Sequence, residues 1–256
     1  MMERAGLPRT AAVIVIGNEI LSGRTRDANL PHLARELAAL GIRLREARVV
    51  PDEIDAIAEA VNTCRRRYDL VFTTGGIGPT HDDVTARAVA RAFGRRLVRD
   101  PEAERRLRTW YGAERLNPAR LKMAEVPEGA ELVDNPVSAA PGFRVDNVYV
   151  LAGIPEVARA MFETLRSGLV GGPPLAARTL LVLAPEGEVA VVLAEVQRTF
   201  PDLEIGSYPF YRQGRVGTHA VFRGADPVRL EAARTRLAER LAARGIETVR
   251  MEEDGG

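Results

Sequence analysis

The sequence predicts an α/β domain in three layers, a mostly parallel sheet with helices on both faces, followed by a smaller α+β module. Three observations carry that expectation. Short apolar runs alternate with stretches of helical period through the first part of the chain. Several of those runs end in turns that hold glycines and acids together. A segment dense in glycine and proline, RSGLVGGPPL (166–175), then separates them from a different order of elements.

AAVIVIG (11–17) is a continuous apolar run ending in glycine, the pattern of a fully buried strand. LPHLARELAALG follows with leucines 30, 33, 37 and 40 on one helical face, stopped by Gly41. IRLREARVV (42–50) reads as a second strand. After Pro51, DEIDAIAEAVNTCRRR repeats the helical period through Ile54, Ile57, Ala58 and Val61. YDLVFTT is a third buried strand and DDVTARAVARAFG a third helix, closed again by glycine. NVYVLAG (147–153) adds a strand, with a helix from Pro155 on. Strands alternating with helices imply parallel pairing, right-handed crossovers and helices on both faces. Beyond the linker come a strand (RTLLVLAP), a helix (EVAVVLAEVQRTFP), two strands (LEIGSYPFYR and GTHAVFRG), a long amphipathic helix and a last strand, IETVRM. This β-α-β-β-α-β order predicts a small ferredoxin-like or KH-like module. The expected domains are residues 1–170 and 171–256.

Composition narrows the function classes. Hydrophobic content of 46% and charged content of 28% are ordinary for a globular protein. No apolar run approaches the roughly 18–20 residues of a membrane helix, and MMERAGLPRT is too short and polar for a signal peptide. A single cysteine, Cys64, excludes an internal disulfide and a cysteine-built zinc site, so a cytoplasmic location is expected. With 36 basic and 35 acidic residues there is no global field for nucleic acid. The C-terminal module also lacks a GXXG clamp and a basic-aromatic stripe, so nucleic acid is not an expected partner. Lys122 is the one lysine in a chain otherwise using arginine, which marks it for a role that suits a compact ammonium.

In open α/β sheets, ligands bind beyond the carboxyl ends of the strands. TTGGIGPTHDD (73–83) stands at such an end, with Gly75, Gly76 and Gly78 between Thr74 and Thr80. Small residues let backbone N–H groups converge on an anion, and a following helix adds a positive end. The spacing is neither that of a P-loop nor of a dinucleotide fold. The plainer reading is a tight turn with Thr80 and Asp83 as a capping box. Asp82 and Asp83 would repel a phosphate unless a hard cation such as Mg²⁺ bridges them, since Mg²⁺ takes one or two carboxylates plus phosphate oxygens. Asp52, after the second strand, is placed to add a carboxylate or to cap the next helix. GNEILSGRTRDAN gathers Gly17, Asn18, Glu19, Asp27 and Asn29, suited to a ribose or polar ring, or to Asx-turns and capping. His81 is given no catalytic role. Cys64 sits within a helical pattern, and no serine–histidine triad is supported.

TTGGIGPTHDDVTARAVARAF resembles the signature loop of the molybdopterin-binding (MoaB/Mog-like) superfamily. Together with GNEILSGRTRDAN, VVPDE, LNPARLKMAEVPEGAELVDNPVSAAPGF and GSYPFYRQGRVGTHAVFRG, it makes nearly the whole chain resemble the N-terminal part of the CinA family and the related domain of eukaryotic FAD synthases. The resemblance implies divalent-metal-dependent chemistry, favoured by potassium, on a nucleoside diphosphate such as ADP-ribose. In the molybdopterin relatives it implies adenylyl transfer to a pterin phosphate. By motif match Asp52 and Asp83 are the paired acids, Gly75, Gly76 and Gly78 the phosphate loop, and Asn117 and Lys122 the asparagine–lysine stretch. The expected site is then Asp52, Asp83 and Lys122 for catalysis, and Asp52, Asp82 and Asp83 for Mg²⁺ or another divalent ion. Thr74, the three glycines, Thr80 and Ser138 are assigned to phosphate, and Gly17, Asn18, Glu19, Asp27, Asn29, Asn117 and Gly153 to the rest of the substrate. Ser138-Ala139 and Glu156-Val157 depart from the family pattern of Gly-Thr and Ser-Glu. A metal-dependent pyrophosphatase is the leading expectation. An adenylyltransferase-type protein, or a pterin- or nucleotide-binding module without catalysis, stands beside it. A homo-oligomer, dimer or trimer, is expected.

Overall fold

The computed structural model describes residues 9–169, 171–212 and 215–251. Residues 1–8 of the stretch read above as too polar for a leader, and residue 170 of the glycine–proline segment, lie outside them. β1 (Thr10–Ile16) shows why the first domain has three layers. All its residues after Thr10 are buried, and they alternate between two cores. Ala12, Ile14 and Ile16 pack with Ile57, Val61, Ala88 and Val89, whereas Ala11, Val13 and Val15 pack with Leu33, Leu37, Met161 and Phe162. A strand apolar on both faces demands cover on both.

That cover comes from elements that follow the predicted order: α1 (Asn18–Leu21), α2 (Asn29–Ala39), β2 (Arg43–Val50), α3 (Ile54–Arg67), β3 (Leu70–Thr74) and α4 (Thr85–Ala92). Next come β4 (Leu97–Arg99), α5 (Pro101–Arg115), α6 (Pro118–Lys122), β5 (Glu125–Pro127), β6 (Glu131–Val133), β7 (Gly142–Val145), β8 (Val148–Leu151) and α7 (Pro155–Arg166). The main sheet runs β2-β1-β3-β8-β7-β6. β2, β1, β3 and β8 pair in parallel, and β7 and β6 turn back antiparallel. α3 and α4 cover one face, α2 and α7 the other. Phe72 anchors the second core, its ring centroid 5.1 Å from Tyr149 and 5.8 Å from Phe162. Each such buried aromatic contributes about 2–3 kcal/mol of hydrophobic stabilisation. α5 is broken at Gly112, where φ is 70° and ψ 166°.

The chain divides after Gly172, two residues beyond the expected boundary. The second unit contains β9 (Ala176–Val182), α8 (Glu186–Thr199), β10 (Glu204–Arg212), β11 (Arg215–Gly224), α9 (Pro227–Ala242) and β12 (Thr248–Arg250). Its sheet is antiparallel throughout, in the order β10-β11-β9-β12. Its first strand therefore lies between its third and its fourth. That is the ferredoxin-like arrangement, which resolves the alternative left open above. Val189, Val192, Leu230 and Leu237 pack with Leu180, Val182, Ala220 and Phe222 into its own core. Among the described residues no helix is long and apolar enough to cross a membrane.

Candidate functional site

Parallel pairing of β2, β1, β3 and β8 brings their carboxyl ends to one edge. The order reverses about β1, because β2 lies on one side of it and β3 on the other. A crevice opens at such a reversal. The loops after β1, β3 and β8 meet there.

Two of the expected phosphate-loop glycines are required by this meeting. Gly75 has φ +105°, and a Cβ on it would stand 2.2 Å from the carbonyl oxygen of Ile16 at the end of β1. Gly76 has φ +67°, and its Cβ would stand 2.2 Å from Thr85 Oγ1. No L side chain fits either place without a shift in its neighbours. Gly75 N–H donates to Leu151 O at 3.2 Å, its carbonyl accepts Thr85 Oγ1–H at 2.9 Å, and Gly76 O accepts Thr85 N–H at 3.0 Å. Thr85 is fully buried, a brace that nothing in the sequence pattern signals. Gly153, after β8, crowds Gly75, since its own Cβ would lie 3.2 Å from Gly75 Cα. Asn29, nearly buried at the start of α2, donates Nδ2–H to Gly153 O at 2.7 Å, and its Oδ1 has no partner. The strand-end loops are thus braced to one another by buried polar groups. Thr74 is buried at the end of β3 with an unpartnered hydroxyl.

The acids behave differently from a capping box. α4 starts at Thr85, its N-cap is Val84, and no side chain caps it. Asp83 instead closes the preceding turn, accepting Thr80 N–H at 2.8 Å and facing Thr80 Oγ1 at 2.5 Å. Asp82 Oδ1 is also 2.5 Å from that hydroxyl. One hydroxyl has one proton, so it serves one carboxylate at a time and the two acids crowd a shared oxygen. The Thr80 hydroxyl, then the backbone N–H of Asp82, His81 and Lys122, hold the Asp82 carboxyl below its usual range. Lys122, ending α6, donates Nζ–H to Thr80 O. The unique ammonium and both aspartates are therefore brought to one turn, beside Gly78, whose Cβ would lie 2.7 Å from Asp83 Oδ2.

Other expected residues are engaged in the fold. Asp52 Oδ2 accepts Asn18 N–H at 2.8 Å, holding the short α1 against the end of β2. It caps α1 rather than α3, whose N-cap Glu53 makes no side-chain bond. Among the described residues no three histidine, cysteine or acid side chains form a group able to hold a metal. Of the three expected metal ligands, Asp82 and Asp83 meet at Thr80, whereas one oxygen of Asp52 is held by the α1 turn. Two carboxylates and a hydroxyl are hard oxygen donors that suit Mg²⁺ when phosphate oxygens and waters complete its shell. Asp27 accepts Leu30 N–H at 2.8 Å and Asn29 N–H at 3.3 Å, the Asx-turn alternative. Asn117 caps α6 through Arg120 N–H at 2.9 Å, so it positions the helix that ends in Lys122. The Ser138 hydroxyl lies 2.7 Å from Asn135 Nδ2, and Asn135 Oδ1 accepts both Val137 N–H and Ser138 N–H. Asn135 is the organiser of that loop, and the Asn-Pro dipeptide was its signal. Glu19 is exposed and folds over Gly17, its Oε1 2.5 Å from where a Cβ would stand.

Beside the glycine turn lies a shallow open crevice, walled by Ile77, Leu97, Met123 and Phe143 and edged by Asp83, Arg87 and Lys122. Its make-up suits a ligand with a flat apolar part and an anionic part.

Comparison with known proteins agrees with this architecture. Residues 12–171 match the family model "probable molybdopterin binding domain", and residues 174–250 match "FAD synthase, middle domain". A protein of Aeropyrum pernix is 38% identical over 259 residues, covering 96% of this chain and 95% of its own. A CinA-like protein of Desulfosudis oleivorans is 38% identical over 209 residues, covering 77% of this chain but 51% of its own length. The crystal structure of the protein CinA from Thermoplasma acidophilum is 36% identical, with a TM-score of 0.60, over 62% of this chain and 97% of that one.

Proposed function

Because the chain belongs to the molybdopterin-binding (MoaB/Mog-like) family, in its CinA-like branch, we propose that the loops beyond β1, β3 and β8 bind a phosphate-bearing nucleotide or pterin. One observation carries the reading: Lys122, the sole lysine, reaches the same turn that gathers Asp82 and Asp83, beside Gly76 and Gly78. The turn supplies backbone N–H groups and an ammonium to phosphate oxygens, while the crevice wall takes the flat ring. Calorimetric titration with AMP, ADP-ribose and a pterin phosphate tests it. No heat with any of them, on folded protein, refutes it.

Cleavage of an ADP-ribose-like diphosphate is the finer reading, favoured by the crowded acid pair. Asp82 and Asp83, with Thr80, would hold a Mg²⁺ ion, which supplies charge neutralisation and an activated water when bound. Lys122 would offset charge developing on the phosphate as the bond breaks. Thr80 keeps the acid pair together, and Thr85 ties the glycine turn to the start of α4. AMP release from ADP-ribose with Mg²⁺, Mn²⁺ or Co²⁺ is the assay, and absence of product with all three removes hydrolysis. ATP consumption only when a pterin phosphate is present would indicate adenylyl transfer instead. Assembly into a homo-oligomer is a separate proposal, read by light scattering. The chain spans about half the length of the CinA-like protein it matches, and activities of that whole protein are not assigned to it.

A further inference from the structure

Arg87, in the first turn of α4, is exposed and edges the crevice. It makes no hydrogen bond, ion pair or ring contact with any described residue. That is unusual in this chain, where most described arginines hold a partner. One turn further along the same helix, Arg91 binds Asp55 at 2.7 Å. Asp83 stands four residues before Arg87, the spacing of a helical ion pair. The pair does not form, because α4 begins only at Thr85 and Asp83 is turned onto Thr80. Lys122, the second cation in the crevice, rests on a carbonyl and holds no carboxylate. Neither acid pairs with Arg87: Asp83 is turned onto the neutral Thr80 and keeps its charge, and Glu125 faces Arg99 at 3.9 Å. Arg87 and Lys122 therefore stand at one crevice, neither in an ion pair with a described residue, and Arg87 is placed to meet an anion there.

We propose that Arg87 is a specificity-determining contact for a second anionic group of the ligand, making the crevice prefer a diphosphate to a monophosphate. The inference rests on the phosphate-ligand reading above. Lys122 and the glycine turn take one phosphate, and the planar guanidinium of Arg87 takes the next through paired N–H donors.

The test is calorimetric titration of the full chain, with Mg²⁺ present, using pyrophosphate and orthophosphate. Four proteins are compared: the parent, Arg87→Ala, Arg87→Lys and Arg66→Ala. Arg66 is equally exposed and unpartnered but lies in the last turn of α3, which leads into the start of β3. Arg87→Ala should weaken pyrophosphate about tenfold and orthophosphate less than about twofold, the worth of one charge-assisted contact. Arg87→Lys should recover part of the loss, since it keeps the charge without the fork. Arg66→Ala should change neither. Unchanged pyrophosphate binding in Arg87→Ala overturns the inference while leaving the phosphate reading intact. So does an equal loss for both anions, or an equal loss in Arg66→Ala. A parent protein that binds neither anion overturns both. Because Arg87 makes no hydrogen bond or ion pair with a described residue, its variants should melt with the parent, which keeps the comparison free of folding effects.

Discussion

Substituting Gly75 by alanine separates what the glycine turn owes to the fold from what it owes to a ligand. The added methyl meets Ile16 O at 2.2 Å, and that oxygen belongs to a strand paired on both sides. It cannot move aside as a side-chain tip would. Overpacking of this kind costs about 1–3 kcal/mol. Holding alanine at φ +105° adds about 1–2 kcal/mol. The sum, about 2–5 kcal/mol, lowers the melting temperature of a unit of this size by roughly 5–15 °C. Gly23→Ala is the built-in reference: its φ is +72°, and nothing lies within 4 Å of the added carbon. It carries the backbone strain alone, about 1–2 kcal/mol. Differential scanning calorimetry without any ligand reads both variants. If Gly75→Ala melts no lower than Gly23→Ala, the collision with β1 is not what demands glycine, and the case for a turn fixed by the fold collapses.

Other expectations follow from the same contacts. Thr85→Val leaves Gly75 O unpaired in a buried place and should cost about 1–3 kcal/mol, with Thr85→Ser recovering most of it in a melt. Asp52→Ala removes the bond to Asn18 N–H and should cost about 1 kcal/mol, yet leave Mg²⁺-dependent ligand binding nearer the parent value than Asp83→Asn does. Loss of that binding in Asp52→Ala alone would return Asp52 to the metal set. The Tyr68 hydroxyl at 2.6 Å, then Arg48, hold the Glu46 carboxyl below its ordinary value of 4.5. A depressed folded value means this contribution is present above 4.5 and is lost as pH falls through the folded one. The melting gap between the parent and Tyr68→Phe should therefore shrink in acid, and a gap constant from neutral pH down to about 3 would count against that pairing.

The alternating elements of both units were legible because each buried face repeats at its own period. The stretch from 95 to 146 was not. β4 to β7 are three or four residues long, too short for any period to register. Among its described residues α5 offers its small core only Ala103 and Leu107 as fully buried apolar residues, so no apolar stripe marks it. At the site, Lys122 was legible from its rarity. Asp52 holding α1 rather than capping α3, and the absent capping box, share a cause. Spacing tells how many residues separate a donor from an acceptor, not which helix has begun by then. Thr80 and Asp83 have capping-box spacing, but α4 starts two residues after Asp83. Thr85 and Asn135 were missed because a hydroxyl or amide that braces a loop looks, in sequence, like any other polar residue.

The late start of α4 has a consequence for how such a site changes over generations. The turn that carries Asp82 and Asp83 closes on Thr80, and neither α4 nor the sheet needs it to stay folded. Its acids can be exchanged, its length altered, or its partner lysine lost, while Thr85 still ties the glycines to α4 and Gly75 N–H ties them to β8. A scaffold fixed by its own contacts and a turn open to change are joined at a seam between Gly78 and Thr85. A lineage can rewrite what lies in that seam without refolding anything around it.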